Sequence, residues 1–143
     1  MGGPSEVPSE GTRRRMRAVR RTHTEAEWAI RRELFSRGRR YRVDRQPVPT
    51  VRTRADLVFP RQRLAVYVDG CFWHRCPLHG TEPKTNAEWW KEKLDANVAR
   101  DRSTDAALAA AGWRVLRVWE HESPLEVVDE IERILRIDVR GDT

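Results

Sequence analysis

The chain has no apolar run approaching the roughly 20 residues a membrane span needs, and its N-terminus shows no apolar stretch of a secretory signal. The expectation is a cytoplasmic protein with no membrane partner. Cysteine is scarce, two in 143 residues. In such a chain two cysteines suggest thiols or metal ligands before a disulfide. No internal repeat is visible, which sets aside solenoid and propeller architectures. Acid is sparse in the early part: between Arg13 and Arg45 stand 13 arginines and four acidic residues.

What is there is charge and tryptophan. Charged residues make up 35% of the chain, the formal net charge is +6, and six residues are Trp. The positive charge is almost all arginine, whose planar fork gives phosphate two parallel hydrogen bonds. A solvated basic face or a sticky arm is the plain reading; a nucleic-acid partner explains the concentration better. The length suits one domain with a modest core.

Residues 1–11, "MGGPSEVPSEG", are rich in Gly, Pro and Ser and read as disordered. A basic arm over 12–23 follows. Thr24-x-x-Glu27 is a capping box opening a helix whose apolar positions are Trp28, Ile30, Leu34 and Phe35, and Gly38 stops it. "YRVD", "ADLVF" (55–59) and "RLAVYVDG" (63–70) read as strands, the last rich in β-branched residues and so central. Thr85-x-x-Glu88 announces a long helix over roughly 86–111, ended by Gly112. "WRVLRVWE" (113–120) is a strand, and Ser123-Pro124 opens a last helix running to about Leu135. A strand following a long helix implies a crossover onto a mixed sheet. The fold class is α/β, one central mixed sheet flanked by helices.

Several residues carry chemistry. Asp56 lies at the start of a strand that should run into the interior, and Asp69 ends the next one. A tight turn between the strands brings those two ends together, and paired carboxylates there can hold Mg²⁺; strand-end capping is the plainer account. His74, five residues past Asp69, could serve as a general base. Glu27 is explained by its capping box, although an acid in a first helical turn could also face a metal. Cys76-x-x-His79 is half a zinc site. His121, after the last strand, is the best third ligand, with Asp101 or a water as the fourth; a Cys71–Cys76 disulfide, or no metal, are the alternatives. Trp89 and Trp90 are adjacent on a helix and cannot both face one core, and Phe72 and Trp73 sit on an irregular loop. Such aromatics could wedge between base steps and bend DNA, while core packing accounts for Trp28, Trp89 and Trp113.

With "ADLVF", "AVYVDGCFWHRCPLHG", "NAEWWKEKLDANVARDR" and "GWRVLRVWEHE" in this order, the chain resembles the very short patch repair endonucleases, relatives of the restriction-endonuclease superfamily. The resemblance implies a restriction-endonuclease-like domain over 24–137 with a short tail at 138–143. It implies an enzyme, most simply a monomer, that nicks duplex DNA 5′ to the thymine of a T·G mismatch arising from 5-methylcytosine deamination, alongside other repair proteins. It implies Asp56 and the carbonyl near Val68 as Mg²⁺ ligands, His74 activating water, and Glu27 at the metal's water shell. Phe72, Trp73 and Trp90 would be wedges, with Met16 entering the opposite groove. Arg17 and the other arginines of 13–21 would contact phosphates. A structural Zn²⁺ would use Cys76, His79, Asp101 and His121.

The chain departs from the pattern at Asp69, where the best-known members carry a His just before the loop glycine, and in its zinc-ligand spacing. No acid-x-Lys follows the second strand. Two further readings compete: a related nuclease for another mismatch, a deaminated base or foreign DNA, and a catalytically silent module that recognises distorted duplexes. Intact Asp56 and His74 speak against the silent module.

Overall fold

The computed structural model describes residues 24–71, 73–74, 76–78 and 84–136. The segments 1–11 and 12–23 and the tail 138–143 lie outside them. Within the described residues the elements run α1 (24–36), β1 (Arg42–Arg45), β2 (Ala55–Phe59), β3 (Leu64–Asp69), α2 (Ala87–Ala110), β4 (Arg114–Trp119) and α3 (Pro124–Arg136). No described helix is long and apolar enough to cross a membrane.

The strands form one mixed sheet in the order β1-β2-β3-β4. β1, β2 and β3 are an antiparallel meander. β4 joins β3 in parallel after the α2 crossover, with Leu64 opposite Arg114 and Asp69 opposite Trp119. The fold is α/β, as the sequence predicts. β3 is the most buried strand, all six of its residues being covered. A strand packed on both faces needs an apolar run rather than an alternating one, which "LAVYV" supplies.

Side chains alternate across a strand, so the sheet has two distinct faces. On one, Leu57, Phe59, Leu64, Val66 and Val68 pack against Ile30 and Leu34 of α1 and Val128 and Ile131 of α3. On the other, Val58, Ala65 and Tyr67 pack under Leu108 of α2. A clasp ties α1 to α3: Arg37 Nη1 donates to Asp129 (2.8 Å) and Glu132 (2.9 Å), and Arg39 Nε donates to Glu132 (3.1 Å).

The helix ends follow local chemistry. Gly38 (φ 81°) and Gly112 (φ 88°) adopt the left-handed conformation past α1 and α2. The Arg39 and Trp113 N–H groups then reach back to the Leu34 and Leu108 carbonyls. At the start of α3 the Glu126 N–H donates to Ser123 Oγ at 3.5 Å.

Three expectations need correction. Thr85 does not cap α2; Asn86 holds that position with φ 58°, without a side-chain capping bond. Asn tolerates the left-handed region far better than Thr, whose β-branch crowds the backbone there. In α1, Trp28 and Phe35 are 53% and 64% exposed. Ile30 and Leu34, four apart, already form the inward stripe, and at 100° per residue Trp28 points elsewhere; guanidinium groups of Arg31 and Arg40 lie over the two exposed rings instead. Trp113, by contrast, packs half-buried against the α2-side core.

Candidate active site and metal centre

Asp56 is the single acid in β2, and its Oδ2 accepts the Val68 N–H at 2.7 Å. In an antiparallel ladder the N–H and C=O of one residue point toward the same neighbouring strand. The Val68 carbonyl therefore also faces the β2 side. A carboxylate beside a main-chain carbonyl is a set of hard oxygen donors, the kind Mg²⁺ takes while keeping several waters.

The loop after β3 is tied down by its own main chain. The His74 N–H donates to the Gly70 carbonyl (3.1 Å) and the Cys76 N–H to the Cys71 carbonyl (2.9 Å). Across the sheet the Cys71 N–H donates to Glu120 Oε2 at 3.1 Å, and the Glu120 N–H donates to the Asp69 carbonyl at 3.0 Å. These bonds hold His74 against α2, where its Nδ1 pairs with Asp101 Oδ2. A carboxylate only accepts, so Nδ1 is inferred to carry the hydrogen and Nε2 the lone pair. A base oriented by a third group in this way is the arrangement acid–base catalysis requires.

Asp69 stands beside this pair, 7% exposed, the one charged side chain buried among the described residues. Arg117 Nη1 donates to its two oxygens at 3.0 and 3.3 Å, and Arg117 Nε donates to Asp105 at 2.9 Å. Burial pushes the Asp69 carboxyl above the usual range, against the pull of His74 whenever that ring is protonated and of the Arg117 guanidinium. Burial alone would lower the Arg117 value, but Asp69, Asp101 and Asp105 outweigh it and hold the guanidinium firmly charged. Asp69, His74 and Asp101 also have the composition of a metal site, yet Arg117 already supplies a cation to both acids.

A second cluster lies at the same end of the sheet. Cys71 Sγ and Cys76 Sγ are 3.3 and 3.7 Å from His121 Nδ1, and both thiols are free and buried. In a tetrahedral zinc site, sulfur and nitrogen ligands sit about 3.5 Å apart, given Zn–S of about 2.3 Å and Zn–N of about 2.0 Å. The spacing observed brackets that value. Burial pushes the Cys71 thiol up to about 12, with Cys76 and Glu120 adding to it. A bound divalent cation is what would deprotonate a thiol in such surroundings.

This differs from the ligand set read from the sequence. Asp101 is bonded to His74 on the α2 side of the sheet, and Cys71 takes a place beside Cys76 and His121. The parallel register explains it: with Asp69 opposite Trp119, residues two further along, Cys71 and His121, leave the sheet side by side. Glu27 pairs with Arg31 at 2.6 Å. Trp90, expected as an exposed wedge, is 6% exposed and packs with Leu94, while Trp73 and Trp89 cover it half-buried at ring distances of 5.8 and 4.8 Å. Met16, Arg17, Phe72 and His79 lie outside the described residues. Sequence reasoning missed the roles of Cys71, Asp105 and Arg117. The usable signals were the β3–β4 register and the four-residue spacing of Asp101 and Asp105 along α2, which stacks them on one helix face.

Comparison with known proteins gives the family. Residues 7–79 match the family described as DNA mismatch endonuclease Vsr. The type II nicking enzyme V.NaeI of Lentzea aerocolonigenes is 48% identical over 120 residues, covering 82% of this chain and 72% of the relative. The type II nicking enzyme V.XorIIP of Xanthomonas oryzae pv. oryzae is 45% identical over 109 residues, 75% of this chain and 77% of the relative. The DNA mismatch endonuclease Vsr of Escherichia coli K12 is 37% identical over 119 residues, 81% of this chain and 74% of the relative. With its acid beside a strand carbonyl, its oriented histidine and these matches, the chain belongs to the Vsr family of DNA mismatch endonucleases.

Proposed function

We propose that this DNA endonuclease nicks one strand of duplex DNA 5′ to the thymine of a T·G mismatch, in a Mg²⁺-dependent reaction. The observation that carries the reading is the His74–Asp101 pair beside Asp69, in a chain whose Asp56 bonds the Val68 main chain. Asp56 and the Val68 carbonyl would hold Mg²⁺, which when bound supplies Lewis-acid stabilisation of charge on the phosphoryl group. His74 Nε2 takes a proton from the attacking water, and Asp101 keeps the ring in the tautomer that can do so. The water oxygen bonds to phosphorus, the bond from phosphorus to the leaving sugar oxygen breaks, and that oxygen takes a proton from solvent.

Trp73 and Trp89, half-buried over Trp90, would bear on an unstacked base step. A wobble pair deforms more readily than a matched pair, so part of the specificity is deformability. Cys71, Cys76 and His121 would hold a structural Zn²⁺ that fixes the loop carrying His74, with His79 as fourth ligand.

A nicking assay over all mismatches in matched flanks tests the target. T·G should be cut fastest, with Asp56→Ala inactive in Mg²⁺; a variant as fast as the parent would remove Asp56 from the mechanism. A second reading has its own support, since relatives at 48% and 45% identity are named type II nicking enzymes. A different duplex cut fastest in the same panel would favour a related nuclease with another target.

A further inference from the structure

Arg117 is held on several sides by groups with no obvious need of it. Its guanidinium carbon lies 4.1 Å from the Tyr67 ring centroid, and Tyr67 is the residue paired with it across β3 and β4. The Tyr67 hydroxyl is in turn hydrogen-bonded to Thr53 at 2.7 Å. Both Asp105 oxygens accept from Arg117 Nε, at 2.9 and 3.0 Å, and Asp101 lies 3.7 Å from Nη1. An arginine whose Nε–H is shared by both oxygens of one carboxylate, and which a ring and its strand also hold, loses little further freedom when it binds one more group. That further group is Asp69. Burying a carboxylate is costly unless it is paired, and the Arg117 Nη1 contacts provide the pairing.

What the pairing achieves lies on the other side of the carboxylate. Asp69 Oδ1 and His74 Nε2 are 3.9 Å apart. That is too long for a direct hydrogen bond and suits one bridging water. A water about 2.8 Å from each atom subtends about 90° between them, close to its own bond angle. Both of its hydrogens then point at acceptors, one on His74 and one on Asp69. Its lone pairs point away from both acceptors and are left for phosphorus.

We propose that Arg117 is a positioning residue: braced by Asp105 and Tyr67, it holds the Asp69 carboxylate opposite His74 Nε2, so that the two acceptors orient one water for attack. Asp69 accepts a hydrogen bond throughout and takes no proton; the proton goes to His74. This rests on the reading of His74 as the base, and it gives Asp69 a role that the sequence left open.

The test uses the full chain with Mg²⁺, on whichever duplex the parent nicks fastest, with single-turnover rate and duplex affinity measured separately. Arg117→Leu and Asp69→Asn should each slow the rate about 100-fold, within the range of a lost acid–base orientation, with affinity changed less than twofold. Arg117→Lys should recover about tenfold of that loss. The Arg117→Leu/Asp69→Asn double variant should be no slower than either single one, because both break the same link. A rate within threefold of the parent for Arg117→Leu, or a loss confined to affinity, overturns the proposal. So does a double variant whose losses multiply. If Arg117→Leu does not fold, Arg117→Lys and Asp105→Asn carry the same comparison. His74→Ala separates the two levels. If it is inactive while Asp69→Asn is unimpaired, only the positioning role falls; if it nicks as fast as the parent, the base assignment itself falls.

Discussion

At the scale of single residues, the site divides into groups legible in the sequence and groups that only packing could assign. Asp56 was legible because an acid inside an apolar strand needs a reason, and the fold gives it one in the Val68 main chain. His74 was legible by its place after Asp69. Asp101 was not, since nothing in "NVARDRS" says which helical face meets the loop. The pairing now seen predicts that Asp101→Asn slows single-turnover nicking about 10²- to 10⁴-fold, because an amide can donate to Nδ1 and favour the wrong tautomer. Stability should be little affected. The comparison is of rates under saturating enzyme, with thermal melting alongside, and an unchanged rate would contradict the orienting role. At Cys71 the expected result is different in kind: Cys71→Ser should lose bound metal and melt at a lower temperature, where a plain buried thiol would tolerate the change.

At the scale of elements, strand and helix bounds were read closely, and one capping residue was not. Apolar β-branched runs mark β2 and β3 because burial on both faces demands them. The α2 start misled because two adjacent residues, Thr85 and Asn86, could each cap it, and only the backbone conformation decides. Left-handed glycine at the far end gives a direct test. Gly112 has φ 88°, and a Cβ there would lie 3.5 Å from an Arg63 nitrogen. Gly112→Ala should therefore cost about 1–2 kcal/mol, from conformation rather than from collision, measured by urea unfolding. The α1–α3 clasp predicts a pH dependence. Arg37, then Arg39, hold the Glu132 carboxyl below its usual range. Its folded value is depressed, so its stabilisation is present above the ordinary glutamate range and lost as pH falls through the lower folded value. Glu132→Gln should melt below the parent at pH 7, and the gap should close in strong acid.

At the scale of the whole molecule, the proposed metal centre and the charge matter most. Among its described residues, the loop between β3 and α2 carries His74 and gives Cys71 and Cys76 to the buried interior. Stripping metal with a chelator should lower the melting temperature and expose two titratable thiols, and zinc should restore both; a metal-free protein with unchanged melting would refute a structural centre. Net charge of +6 predicts duplex binding that weakens steeply with salt, by about 0.9 in log affinity per log salt for each phosphate contacted. Titrating affinity between low and physiological salt counts those contacts directly.

The crossover that makes β4 parallel to β3 also orders events in time. During synthesis Asp56, Asp69 and His74 leave the ribosome early, while Asp101, Arg117 and His121 come later, the last two only with the fourth strand. Until β4 docks along β3, the base has its ring but no assembled surroundings, and Cys71 has no His121 beside it. An unfinished copy thus lacks Arg117 beside Asp69 and His121 beside Cys71, so the surroundings of the loop are the last part of the molecule to assemble.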